Sequence, residues 1–342
     1  MMVGKTISKH YENEHYKVFF NQQTGFFIRC EDGGYPEPKW SKHGPELLDI
    51  SITNYCERGC DFCYRSSSRE GRHISLDDYE FLVKQAADLG VLQIALGGGN
   101  PNQHPEFAKV LELTREYDII PSYTTNGEGL TDEILDATAK YCGAMAISFY
   151  PSNGLNYYER LVSRTRLKGI KTNLHVILSS ETIDAIESLL SVSPKWLNNV
   201  NAIIFLNFKP VGRGKGSMGL SNDRAKTFFE RLAKTDRKIG FDSCSISGIV
   251  RWMNVKPEFV ESCEAARFSA FIREDLKMYP CSFMSGTEAY GDLRERTMLE
   301  IWQENEAFKR FRLDAPDVSC NGCDHWRMCK GGCRLYKEIN FC

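Results

Sequence analysis

Between residues 47 and 208 the sequence switches six times between a short apolar, β-branched run and a longer stretch of helical character. The runs are 47–53, 91–96, 119–125, 144–149, 171–178 and 202–208. Parallel strands need helical crossovers, so strand–helix repeats of this spacing predict βα units on one sheet. In the first unit, apolar residues fall at 79, 82, 83, 86 and 89, one face of a helix, with Ser75 as its N-cap and Asp78 three residues on. Pro105 is placed to open the next helix, where a missing amide proton costs nothing. Six units exceed half of a doubly wound sheet and fall short of a closed eight-unit barrel. The expected fold is α/β, an open partial (β/α)6 barrel, with a flat doubly wound sheet as the weaker alternative.

Other segments flank this core. Residues 17–30 read as a hairpin of two strands around a Gly-containing turn, and 31–45 as a Gly/Pro-rich connector. The glycine-rich stretch 211–219 reads as a loop, and 222–234 as a helix. From about residue 242 periodicity weakens, and one clear helix remains, at 297–312. The expected organisation is hairpin and connector over 1–46, barrel over 47–240 and a small cysteine-rich domain over 241–342. The 43 Lys and Arg against 45 Asp and Glu leave no basic field for nucleic acid. The polar N-terminus and the lack of a long apolar run predict no signal peptide and no membrane span, hence a cytoplasmic protein.

Thirteen cysteines stand out against that setting. Disulfides rarely persist in a reducing cytosol, so cysteine at this density points to metal or redox chemistry. Cys56, Cys60 and Cys63 sit just after the first strand, where barrel loops build active sites. Three thiolates can hold three irons of a 4Fe–4S cube and leave the fourth open to an exogenous ligand. Three structural cysteines or an incomplete zinc site are the alternatives. A second group is Cys320, Cys323, Cys329, Cys333 and Cys342, with Cys263 and Cys281 before it and Cys244 further upstream. Paired cysteines at this spacing also suit a zinc ribbon. A region this short of apolar core usually needs metal to fold.

The C-x-x-x-C-x-x-C motif at Cys56, Cys60 and Cys63 resembles the signature of the radical S-adenosylmethionine (radical SAM) superfamily. Cys320-x2-Cys323-x5-Cys329-x3-Cys333 followed by Cys342 resembles that superfamily's SPASM extension. The resemblance implies a TIM-like partial barrel with a small C-terminal SPASM domain. It implies that the first three cysteines hold a 4Fe–4S cluster whose open iron chelates SAM. Reductive cleavage of SAM would then give a 5′-deoxyadenosyl radical, which takes a hydrogen atom from substrate. By the same resemblance, Phe62, Gly98, Gly99, Asn100, Asn126, Ser148 and Arg213 match positions that contact the cofactor. Asn100 stands where the family usually has Glu, so the ammonium of SAM loses a charged acceptor. The SPASM pattern implies two auxiliary 4Fe–4S clusters, making three in all. In that pattern Cys320, Cys323, Cys329 and Cys342 ligate the outer one. Cys263, Cys281 and Cys333 ligate the inner one, with Cys244 as a candidate fourth ligand or the site open to substrate.

Cys30 and Cys142 fit no cluster motif and read either as small buried hydrophobes or as thiols that quench a product radical. His175, in the fifth strand, reads as a core histidine or as a group that polarises substrate in the barrel. The leading functional expectation is a maturase that modifies a ribosomally made peptide by cross-link, epimerisation or excision. The first 46 residues read as too short for a winged-helix leader-binding domain, so a separate leader-recognition protein, or direct binding by the hairpin, is expected. Flavodoxin or ferredoxin is the expected electron donor. The alternatives are a radical SAM enzyme acting on a nucleotide or cofactor precursor, and a non-catalytic iron–sulfur electron carrier.

Overall fold

The computed structural model describes residues 5–35, 38–313 and 320–342, so two residues of the expected connector lie outside the described residues. Six parallel strands form the centre: β4 (Leu47–Thr53), β5 (Gln93–Gly98), β6 (Ile120–Thr125), β7 (Ala144–Ser148), β8 (Thr172–Leu178) and β9 (Ala202–Asn207). They pair in sequence order, as right-handed βα units do. Helices α1 (Leu76–Asp88), α2 (Phe107–Glu116), α3 (Asp132–Tyr141), α4 (Leu155–Leu167) and α5 (Ile183–Val192) lie between them, and α6 (Asn222–Leu232) follows β9. In α1 the Ser75 hydroxyl accepts from Asp78 N, and Tyr79, Leu82, Val83 and Ala86 are buried. In β4, Leu48, Ile50 and Ile52 are buried in the main core, and Asp49 takes the opposite face.

The sheet runs further than the sequence pattern indicates. A seventh parallel strand, β10 (Ile239–Phe241), pairs with β9. At the other edge β11 (Ser269–Ile272) pairs parallel to β4, and β12 (Lys277–Tyr279) and β13 (Gly291–Asp292) continue it antiparallel. Strands of two to four residues are too short to carry a readable alternation. The C-terminal segment therefore extends the barrel sheet. The expected single helix at 297–312 is two, α8 (Met298–Glu304) and α9 (Glu306–Leu313). Asn305 breaks it: its backbone is extended, its Oδ1 accepts from Ala307 N, and its Nδ2 donates to Tyr290 O. Pro105 lies in the turn before α2, whose N-cap is Glu106.

The expected hairpin is β2 (Tyr16–Asn21) with β3 (Phe27–Glu31), joined by an additional strand β1 (Thr6–Tyr11). Tyr16, Val18 and Phe20 pack against Leu92, Ile120 and Phe268. Leu92 and Ile120 stand at the starts of β5 and β6, so this sheet covers the floor of the barrel, opposite the strand ends that carry the cysteine loop. Among the described residues no helix is long and apolar enough to cross a membrane.

Candidate active site and cysteine clusters

The loop after β4 is held from two sides. Gly99 N donates to Thr53 O and Asn100 N to Tyr55 O, at 2.7 and 3.0 Å. A Cβ on Gly98 would lie 2.0 Å from Thr53 O, and one on Gly99 2.0 Å from Tyr55 O. The two glycines thus allow one strand end to press against the backbone that leads into Cys56. After β9, Arg213 N donates to Cys63 O, its Nε to Cys60 O, and both Nη atoms to Ser67 O. The expected cofactor contact is here occupied in bracing the cysteine loop from across the barrel. Arg213→Ala removes those bonds and is expected to lower the iron held by the first cysteine group while sparing the C-terminal groups; iron per chain in the variant checks this.

Asn100 is buried, and both ends of its amide have partners. Oδ1 accepts from Thr125 Oγ1 and Asn126 N at 3.0 and 3.1 Å, and Nδ2 donates to Glu128 O at 3.0 Å. Asn102 bonds the same partners, Thr125 Oγ1 and Glu128 O. The single Thr125 hydroxyl proton serves only one of the two amide oxygens at a time, and Asn102 Oδ1, at 2.5 Å, is the nearer. Asn100 braces the 125–128 loop here, its Nδ2 serving a backbone carbonyl to which a carboxylate could not donate. Asn100→Ala is expected to cost about 1–3 kcal/mol of stability from the buried partners left unpaired, read from the urea unfolding midpoint. Asn126 presents Nδ2 toward Cys56 Sγ at 3.9 Å.

The mouth of the barrel is a cavity of about 590 Å³, within the range of small-molecule sites. Cys60, Phe62, Arg58, Glu128 and Tyr150 line it. The Phe62 and Tyr150 rings stack with centroids 5.9 Å apart. Arg58 lies 3.8 Å from the Tyr150 centroid and 3.3 Å from Glu128. Ser148 ends β7 beside His175 of β8.

His175 Nδ1 lies 3.2 Å from Thr124 Oγ1. Burial lowers its pKa to about 4 from 6.5, so the folded protein holds it neutral. The unfolded chain takes up this proton below pH 6.5 and the folded chain only below about 4. Stability contributed here is intact above 6.5 and falls as pH drops through that window. A His175→Asn variant is expected to lose less stability between pH 6.5 and 4 than the unsubstituted protein, in parallel urea titrations.

Two charged features carry no motif in the sequence. Asp49 lies near Tyr64, and burial lifts its carboxyl to about 6. Its one signal is a lone acid in the apolar run of residues 47–53. Lys209 forms a buried ion pair with Asp242, and its ammonium stands 4.8 Å from the Phe283 centroid. Lys209 follows β9 and Asp242 follows β10, so their pairing depends on a strand with no readable pattern.

The thiols fall into three groups, traced by which of them act electrostatically on one another. Cys56, Cys60 and Cys63 form the first, at the barrel mouth. Cys263 and Cys281 neighbour Cys333, which in turn adjoins Cys244. Cys329 and Cys342 neighbour Cys320, and Cys342 also neighbours Cys323. Burial raises the Cys56 thiol, opposed by backbone N–H groups of Arg58 and Gly59. Similar N–H donors reach Cys263 from Ala265, Cys281 from Phe283, and Cys329 from Gly331 and Gly332. For Cys333, whose thiol is pulled down, the largest cause is the adjoining Cys244 thiol, and N–H groups of Tyr336 and Leu335 assist. Backbone donors aimed at sulfur are the outer-shell pattern that suits iron–sulfur ligation, so the donor sets fit the clusters the motifs imply. Among the described residues no three His, Cys, Asp or Glu side chains group as ligands of a single metal ion. Cys30 lies in β3 opposite Lys17, and Cys142 follows α3 and packs against the main core. Neither is brought together with the three groups.

The Radical SAM superfamily model matches residues 50–192, and the SPASM model, an iron-sulfur cluster-binding domain, matches residues 263–324. Among curated proteins, the PqqA peptide cyclase of Xanthomonas axonopodis pv. citri is 22% identical over 317 residues, covering 85% of this chain and 83% of the relative. The mycofactocin maturase MftC of Mycolicibacterium smegmatis is 20% identical over 319 residues, covering 86% and 79%. Among solved structures, Streptococcus suis SuiB bound to S-adenosylmethionine superposes with a TM-score of 0.74 at 17% identity, covering 96% of this chain and 94% of that one. With the cysteine loop at the strand ends and the second cysteine-rich segment beyond the barrel, these matches place the chain in the radical SAM superfamily, as an enzyme of the SPASM-bearing type that uses 4Fe–4S chemistry and S-adenosylmethionine.

Proposed function

We propose that this chain is a peptide maturase that takes a hydrogen atom from a residue of a ribosomally made precursor peptide. The observation that carries the reading is the grouping of the cysteines. One group of three stands at the strand ends, where Cys60 lines an open cavity, and the others gather beyond the barrel. In this reading Cys56, Cys60 and Cys63 hold the SAM cluster. Cys263, Cys281 and Cys333 hold an inner auxiliary cluster, and Cys320, Cys323, Cys329 and Cys342 an outer one, three in all. The domains are then 1–46, 47–240 and 241–342. Bound there, the first cluster and SAM supply the hydrogen-abstracting radical. The chain's own part is to hold the loop through Arg213, to shape the mouth with Phe62 and Tyr150, and to keep His175 neutral beside the substrate path.

The peptide substrate is supported by what the relatives are called: a peptide cyclase, a maturase, and SuiB, also solved with its precursor peptide SuiA. Because the N-terminal sheet covers the barrel floor, a leader paired to its edge has to reach round strands roughly 20 Å long. We therefore favour a separate leader-recognition protein, with a flavodoxin or ferredoxin as donor. Co-expression with peptides encoded beside this gene, followed by mass spectrometry, tests the reading. A mass change confined to one peptide and lost in Cys56→Ala supports it. Unmodified peptides together with turnover of a nucleotide or cofactor precursor would move the enzyme to the small-molecule class.

A further inference from the structure

The SPASM match begins at residue 263 and leaves Cys244 unassigned. Sequence spacing leaves it only a candidate for the inner group, whose nearest member, Cys263, is 19 positions on. The fold connects them. Cys244 sits in a short turn just after β10, and its thiol adjoins that of Cys333. That turn is fastened to the end of β9. Asn207 Nδ2 donates to Cys244 O and to Ile339 O, both at 3.1 Å, tying the turn to the C-terminal tail. Asp242 Oδ1 accepts from Asn207 N and Ser245 Oγ at 3.1 and 2.8 Å, and the carboxylate also pairs with Lys209. Lys209 in turn acts on both Cys244 and Cys333. Cys333 is held independently: its N donates to Asn340 Oδ1 at 2.8 Å and its sulfur accepts from Tyr336 N at 3.5 Å. Two separately anchored segments thus present a thiol each to one buried place, which Cys263 and Cys281 also adjoin.

We infer that Cys244 is the fourth protein ligand of the inner auxiliary cluster, and that this cluster therefore leaves no iron open to substrate. The inference rests on the reading that Cys263, Cys281 and Cys333 hold an iron–sulfur cluster. Four thiolates saturate a four-iron cube, whereas three leave one iron for an outside ligand. The buried Lys209 ammonium is a suitable neighbour for the negative charge that a fourth thiolate adds.

The test uses the full chain with Cys56, Cys60 and Cys63 replaced by alanine, since the open iron of the first cluster would mask the result. Cyanide is the probe, and electron paramagnetic resonance of the reduced protein is the readout. This background protein is expected to hold about eight irons and to show no spectral change with cyanide. Adding Cys244→Ala is expected either to create one cyanide-sensitive cluster, with a three-iron signal on mild oxidation and reversal by 2-mercaptoethanol, or to lose about four irons while a Cys142→Ala control keeps them. Cys244→Ser, which retains an oxygen ligand, is expected to keep the iron and alter the signal of one cluster. Cyanide sensitivity of the background protein itself would overturn the inference, as would spectra and iron content unchanged in both Cys244 variants. A background protein with zinc or about four irons in place of eight would instead remove the underlying reading, and the inference with it.

Discussion

Alanine at Cys56, Cys60 and Cys63 together is expected to abolish formation of 5′-deoxyadenosine from SAM and to remove about four irons per chain. The three thiols share one loop, and the strands on either side hold that loop in place through bonds the substitutions leave intact. The Arg213 guanidinium bonds backbone carbonyls of Cys60 and Ser67, and Gly99 and Asn100 bond carbonyls of Thr53 and Tyr55. The loop and the rest of the fold should therefore persist while the chemistry is lost. Anaerobic turnover with dithionite, with product quantified by chromatography, checks the first part. Circular dichroism and the iron retained by the C-terminal groups check the second. Turnover surviving at a tenth or more of the original rate would contradict the assignment of this loop.

The second large effect is on stability. Arg29 of β3 is almost wholly buried and binds Glu46 at 2.6 Å and Glu264 at 2.9 Å, with its guanidinium 3.5 Å from the Phe268 ring. Glu46 also accepts from Tyr16 OH at 3.1 Å. One cation thus joins the N-terminal sheet, the entry to β4 and the segment leading into β11. Removing one partner of a buried pair strands the other charge, at a cost of about 3–5 kcal/mol. Arg29→Met is expected to lower the urea midpoint accordingly. The double variant Arg29→Met/Glu46→Gln should recover part of the loss, because the stranded carboxylate is then gone. A loss under about 1 kcal/mol would place the pair with exposed salt bridges and contradict its role as a joint.

The barrel was legible because its strands are long enough for alternation and its helices for a 3.6-residue period. The start of β4 at Leu47 and the Ser75 cap both stand where the pattern put them. What was illegible is short or polar: β10 and β13 have too few residues, and β1, TISKHY, has little apolar content. The first cysteine group was legible because its members are adjacent in sequence. Cys244 stood there only as a candidate beside an open site, because only the pairing of β10 with β9 brings residue 244 to Cys333. Asn100 and Arg213 show a different gap. The resemblance matches them to cofactor contacts, but it does not reveal which backbone groups of this chain the side chains also serve. Cys30 and Cys142 carry the same residue type as the clustered cysteines, and their location alone separates them.

Three cysteine groups holding three iron–sulfur cubes are the centre of this reading. Iron, acid-labile sulfide and zinc, counted per chain after anaerobic purification and reconstitution, test that most directly. The expected result is about twelve irons and as many sulfides without zinc, on four irons per cube. About four irons with one or two zinc ions would make the C-terminal region a structural zinc module and contradict the three-cluster assignment.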